Sequence, residues 1–193
     1  DKVKEGKAVA AKQECQALGA AIAGFNKDTG FYPAFSGGAN PISDSLVYFK
    51  VLRSWNEGGA GVNVGVGAGA AAHDPINAST MWANAGVVDT LENHLVKDSP
   101  GGNTTNGYRT GTNKFNWKGP YSESLASKRD PWGNNYLVYV KAMHTPSTGD
   151  LTKEYGWIIS AGPNGILETK PTDKDLVNDD VGVMLFASET PKG

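Results

Sequence analysis

Apolar residues recur three and four positions apart at the start of the chain: Ala8, Ala11, Cys15, Leu18, Ile22 and Phe25. That spacing puts them on one face of an α-helix. Lys2, Lys4, Lys7, Lys12 and Glu14 fall mostly on the other faces. The pattern predicts an amphipathic helix over residues 1–26, and Asn26-Lys27-Asp28-Thr29-Gly30 supplies its stop signal. A second, short helix is expected over 42–55, around Ile42, Leu46, Phe49 and Leu52, with Asn40-Pro41 and Ser43-Asp44 at its start. A third is expected near 79–97, with Val88, Leu91 and Leu95 on one face. The glycine-rich run 58–70 separates these two, and residues 98–114, rich in Gly, Asn and Thr, read as an irregular loop.

In the final third the apolar residues suit strands instead. Segments 136–142, 155–160 and 181–187 read as strands, the first two joined through the turn-rich stretch 145–150. Helix first and strands last predicts an α+β domain, with a long N-terminal helix packed on a small antiparallel C-terminal sheet. With 193 residues the chain is read as one domain. Its parts are the helix and its end (1–33), a variable middle segment (34–114), and the sheet with its loops (115–193).

Composition narrows the function classes. The net charge of −2 gives no electrostatic reason to expect nucleic acid as a partner. The single cysteine, Cys15, excludes an internal disulfide and argues against a cysteine-rich metal site. On an apolar helical face it reads as a small core residue. No apolar run approaches the ~20 residues that cross a bilayer. Gly65-Val66-Gly67-Ala68-Gly69-Ala70 invites a dinucleotide reading, but no strand leads into it and His73-Asp74-Pro75 interrupts any following helix. His73, His94 and His144 are far apart, with no metal-ligand spacing, and no Gly-x-Ser-x-Gly elbow exists. Adjacent Asp179 and Asp180 would point to opposite faces of an extended segment, which does not suit a glycosidase pair. These readings together predict that the protein is not an enzyme.

Two stretches carry more information. Asp130-Pro131-Trp132-Gly133-Asn134-Asn135-Tyr136 combines a fixed φ, a permissive glycine and a large ring just before a strand. It reads as a rigid turn feeding the sheet. The stretch 160–180 holds Glu168, Asp173, Asp175, Asp179 and Asp180 against only Lys170 and Lys174. Carboxylates so concentrated repel one another, and a hard cation taking 6–8 oxygen ligands would relieve that. The candidate ligands are Ser160, Asn164, Asp173, Asp175, Asp179 and Asp180. The alternative is an acidic loop that is merely solvated.

Three segments, Asn116-Trp117-Lys118-Gly119-Pro120-Tyr121, Asp130–Tyr136 and Ser160-Ala161-Gly162-Pro163-Asn164-Gly165, resemble in order and spacing the major pseudopilin of bacterial type II secretion systems. The helix closing on Thr29-Gly30-Phe31-Tyr32-Pro33 is similar to that family's helix end. The resemblance covers residues 1–33 and 115–186, and leaves 34–113 as a large insertion. It implies a structural subunit of the type IV pilin-like superfamily that polymerises into a periplasmic fibre for protein secretion across the outer membrane. It implies an upstream leader and apolar helix with a methylated N-terminus, anchorage in the inner membrane, and a soluble domain in the periplasm. The implied partners are copies of itself, other pseudopilins and the secretion machinery. It also implies calcium in the loop ending at Asp180-Val181, where the family has Asp at the position of Asn164. A type IV pilin or minor pilin-like subunit in adhesion or motility is the alternative. A small-molecule or sugar-binding module using the glycine-rich segment is the second.

Overall fold

The computed structural model describes residues 1–35, 49–55, 75, 82, 88–102, 104, 107–108, 115–143 and 154–187. The expected N-terminal helix is present as α1, Lys2–Thr29. Asp1 caps it, its side chain accepting the Val3 N–H at 3.1 Å. At the other end Gly30 takes φ 77°, in the left-handed region, and its N–H donates to the Asn26 carbonyl at 2.8 Å. The buried face of α1 is Ala11, Cys15, Leu18, Gly19, Ile22, Phe25 and Thr29. This is the apolar stripe of the sequence without Ala8, which is half-buried, and extended by one turn to Thr29. The first seven residues are all exposed. No described helix is long and apolar enough to cross a membrane.

The sheet is larger than the sequence pattern indicates. Its strands are β1 (Val51–Arg53), β2 (Val88–Thr90), β3 (Leu137–Tyr139), β4 (Tyr155–Ser160) and β5 (Val181–Ala187). They lie in the order β2-β1-β3-β4-β5. The three C-terminal strands are antiparallel neighbours, as expected. β1 adds to them antiparallel to β3, and β2 then pairs with β1 in parallel. Among the described residues the sheet is therefore mixed and five-stranded, and the middle segment supplies two of its strands.

Both middle-segment helices need correction. Of the stretch 42–55, residues 49–55 are described, and they contain β1. Among the described residues of 79–97 the helix is α2, Leu91–Leu95, preceded directly by β2. Val51 stands opposite Val88 and Leu52 opposite Asp89. Pairing with a sheet edge satisfies those backbone groups, and burial of the side chains outweighs helical spacing. Thr90 ends the strand and caps α2, its hydroxyl accepting the Asn93 N–H at 3.3 Å. β3 is likewise shorter than expected, because Val140–Met143 turns into a 3₁₀ helix. The turn 145–150 and the glycine-rich run 58–70 lie outside the described residues.

Each face of the sheet carries its own core. Leu52, Val138 and Ile158 point towards α1 and pack with Cys15, Leu18 and Ile22. Val51, Leu137, Tyr139, Trp157 and Ile159 point the other way, beneath Trp82 and Leu167. α2 lies on the α1 side, burying Leu91 and Leu95. The second face is covered by Trp82 and by the loop between β4 and β5. That loop carries the acidic cluster.

Candidate metal centre

The turn at Asp130 forms first in the order of the chain. An isolated bridge pairs Arg129 with Asn135. Asp130 Oδ1 accepts the N–H groups of Trp132 and Asn134, each at 2.9 Å. The Asp130 N–H donates to the Asn134 carbonyl at 2.7 Å, and Gly133 takes φ 91°. Asp130 Oδ2 accepts the Ser160 hydroxyl at 2.6 Å. Burial pushes this carboxyl above the usual range, against the hydrogen bonds from Ser160, Asn134, Trp132 and Gly133. A turn built on one aspartate is thereby fastened to the end of β4.

The next residues set the path of the acidic loop. Ser160 Oγ, besides donating to Asp130, accepts the Gly162 N–H at 3.1 Å. Gly162 takes φ 66°, and a β-carbon there would collide with the Asp179 carbonyl oxygen. Glycine is required both for the angle and for the approach. It lets the two ends of the loop touch, so that Asp179 and Asp180 return beside its beginning. Asn178 takes φ 50° just before them, a region that asparagine tolerates better than most residues.

Asp180 is 5% exposed. Its Oδ2 accepts the N–H groups of Thr169 at 2.6 Å and Glu168 at 3.0 Å. Its Oδ1 is buried and accepts no hydrogen bond, and the same holds for Asp179 Oδ1. Glu168 receives the side-chain amides of Asn178, at 2.6 Å on Oε1, and of Asn164, at 3.1 Å on Oε2. One oxygen each from Glu168, Asp179 and Asp180 falls within 4.8 Å of the others. Burial pushes the Asp180 carboxyl up, the bonds from Thr169 and Glu168 pull it down, and the Glu168 charge pushes it up again; the net direction is up. A buried carboxylate oxygen without a donor is costly. Calcium, a hard cation bound by carboxylate, amide and carbonyl oxygens, suits this donor set.

The expected ligands divide. Asp179 and Asp180 lie in the cluster, and Asn164 borders it, its N–H donating to Asp179 Oδ2 at 3.1 Å and its Oδ1 accepting the Ile166 N–H at 2.8 Å. Ser160 belongs to the Asp130 corner. Asp173 closes its own turn, Oδ2 accepting the Lys170 N–H at 2.7 Å. Asp175 is exposed further along the loop. Glu168 is the member that sequence reasoning left out of the ligand set. It counts towards the acidity of the loop, but only the path of the chain brings it to Asp180.

The other candidate groups take different places. Among the described residues no second group of three acidic, histidine or cysteine side chains converges in this way. His73 and His144 lie outside the described residues. His94 is wholly buried, its Nε2 at 2.7 Å from Asp89 Oδ2 and its Nδ1 at 2.7 Å from the Tyr108 hydroxyl. The rings of Phe25 and Phe49 stand edge-on to Tyr108 and His94. Cys15 is buried, and desolvation pushes its thiol up to about 12. Comparison of the chain with family models, with curated proteins and with solved structures gave no match.

Proposed function

We propose that this protein is a structural subunit of the pseudopilin kind, which assembles into a periplasmic fibre serving secretion across the outer membrane, and that calcium holds its C-terminal loop. The observation that carries this reading is the interlock of the segments bearing the resemblance. Asp130 of the second accepts the Ser160 hydroxyl of the third at 2.6 Å, and Gly165 packs near the Asn134 side chain. The Asn116–Tyr121 segment joins the same body through Tyr121, whose hydroxyl donates to Asp28 of α1 at 3.0 Å. An N-terminal helix against a small sheet, with its first turns exposed, is compatible with a subunit whose helix continues into a fibre core. Glu168, Asp179 and Asp180, with Asn164 beside them, are the residues that would hold the ion. Calcium there would neutralise the carboxylates and close a loop that a chain with one cysteine cannot close by a disulfide.

Assembly is the test. The intact gene product, expressed with the assembly proteins of a type II secretion system, is expected to form fibres that an antibody against this domain decorates in electron micrographs. Labelling of dispersed protein only, with the assembly proteins functional on a control pseudopilin, sinks the reading.

A further inference from the structure

The acidic loop is bonded to more than its own strands. Trp82, from the middle segment, is wholly buried on the second face of the sheet. Its ring stands edge-on to Tyr139 with centroids 5.2 Å apart, in a cluster with Val51, Val88, Ile159 and Leu167. Its indole N–H donates to the Thr169 carbonyl at 2.6 Å. The N–H of the same residue donates to Asp180 Oδ2, also at 2.6 Å. Thr169 Oγ1 in turn accepts the Val177 N–H at 2.9 Å. Thr169 is thus gripped by the acidic cluster on one side and by Trp82 on the other.

A residue held at three points cannot reorient at one of them alone. Its N–H and its carbonyl belong to two planar peptide units joined at its Cα, and the bond from the Val177 N–H to its hydroxyl limits how far one can turn without the other. A cation seated on the free oxygen of Asp180 would fix the orientation of that carboxylate, and with it the Thr169 N–H. The Thr169 carbonyl would then be held where the indole meets it. Any two events that stabilise the same arrangement favour each other reciprocally.

We propose that Trp82 couples the occupancy of the acidic loop to its own seating on the second face of the sheet. This rests on the calcium reading above. Calcium in the loop tightens the anchoring of Trp82, and Trp82 tightens the hold of the loop on calcium. The loop then acts as a fastener for Trp82 and not only for its own ends.

The test uses the indole signals of the ¹⁵N-labelled protein in a calcium titration, with calorimetry on the same samples. Solvent exchange of the Trp82 indole N–H is expected to slow on calcium addition. The Trp117 indole, which donates to the His94 carbonyl at 2.9 Å, is the internal control and should not respond. Trp82→Phe keeps the aromatic body and removes the donor. It should weaken calcium binding roughly fivefold, the scale of one neutral hydrogen bond, while Trp117→Phe leaves it unchanged. If calorimetry shows binding but Trp82 exchange and the Trp82→Phe affinity are both unaltered, the coupling is wrong and the calcium site stands. If calorimetry shows no binding, the calcium reading falls and takes the coupling with it. The exchange measurement is made on the unmutated protein, so a variant that fails to fold does not decide the matter.

Discussion

Asp180 leads into β5 with one oxygen satisfied twice and the other not at all. Replacing it by asparagine keeps the shape and removes the charge that a cation would meet. Binding confined to the folded state stabilises it by RT ln(1 + [L]/Kd), about 2.7 kcal/mol at a hundredfold excess over Kd. Millimolar calcium is therefore expected to raise the melting temperature by several degrees, by an amount that Asp180→Asn removes. Magnesium, which demands tighter octahedral geometry, should raise it less. Differential scanning calorimetry with and without a chelator reads this directly. An unchanged melting curve in the unmutated protein would leave the cluster a solvated acidic turn. Gly162 sets the stage for Asp180, because no residue with a β-carbon lets Asp179 come so close.

At the scale of elements, β2 and α2 are joined by a buried pair. Asp89 Oδ1 accepts the Asn93 amide, and Oδ2 meets His94 and accepts the Gly101 N–H at 2.8 Å. Burial alone would push this carboxyl up, but His94, with the N–H groups of Gly101 and Thr90, brings it below its usual value. The sign follows from linkage. A carboxyl lowered on folding adds stability that is fully present above its unfolded value of about 3.9, and that is lost as pH falls through the lower folded value. Asp98, Asp130 and Asp180 are shifted up and act in the opposite sense, so the difference between protein and variant is the quantity to read. Asp89→Asn is expected to cost about 1–3 kcal/mol at neutral pH, the scale for leaving buried hydrogen-bonding partners unsatisfied. That difference should shrink below about pH 4. Urea unfolding across the acid range measures it, and a pH-independent difference would assign Asp89 a packing role only.

For the whole molecule the sheet is the divider between two cores. Neighbours on β4 enter different ones: Ile158 packs towards α1, and Ile159 packs beneath Trp82 and Leu167. Both are wholly buried. Truncating either to alanine should cost about 2–5 kcal/mol. Because both cores share one sheet, each variant should still unfold in a single transition. Circular dichroism, dominated by α1, and tryptophan fluorescence should give the same midpoint in each variant. Separate midpoints would mean that the second face opens by itself. Contacts of α1 with the residues flanking the Asp130 turn and with β5 work in the same direction. Glu14 receives hydrogen bonds from both Lys128 and the Tyr136 hydroxyl, and the Lys12 ammonium donates to the Gly182 carbonyl at 2.7 Å.

What the sequence determined by itself is local. The three-and-four spacing from Ala11 to Phe25 specifies the buried face of α1, because a helix converts sequence distance directly into direction. The asparagine-to-glycine run at 26–30 ends it for a reason written in one residue. β4 and β5 are legible because they are runs of β-branched and aromatic residues between turns. The tertiary structure decided the rest. Val51–Arg53 and Val88–Thr90 carry helical spacing; the first becomes a strand on the open edge of β3, and the second on the edge that β1 then offers. The acidity of 160–180 is legible in the sequence, but which acids converge depends on the path of the loop. Gly162 and Asn178 set that path through backbone angles, and Trp82, far away in sequence, holds it from the other side. Sequence spacing carries no record of such meetings, because they are fixed only when the second face of the sheet is covered.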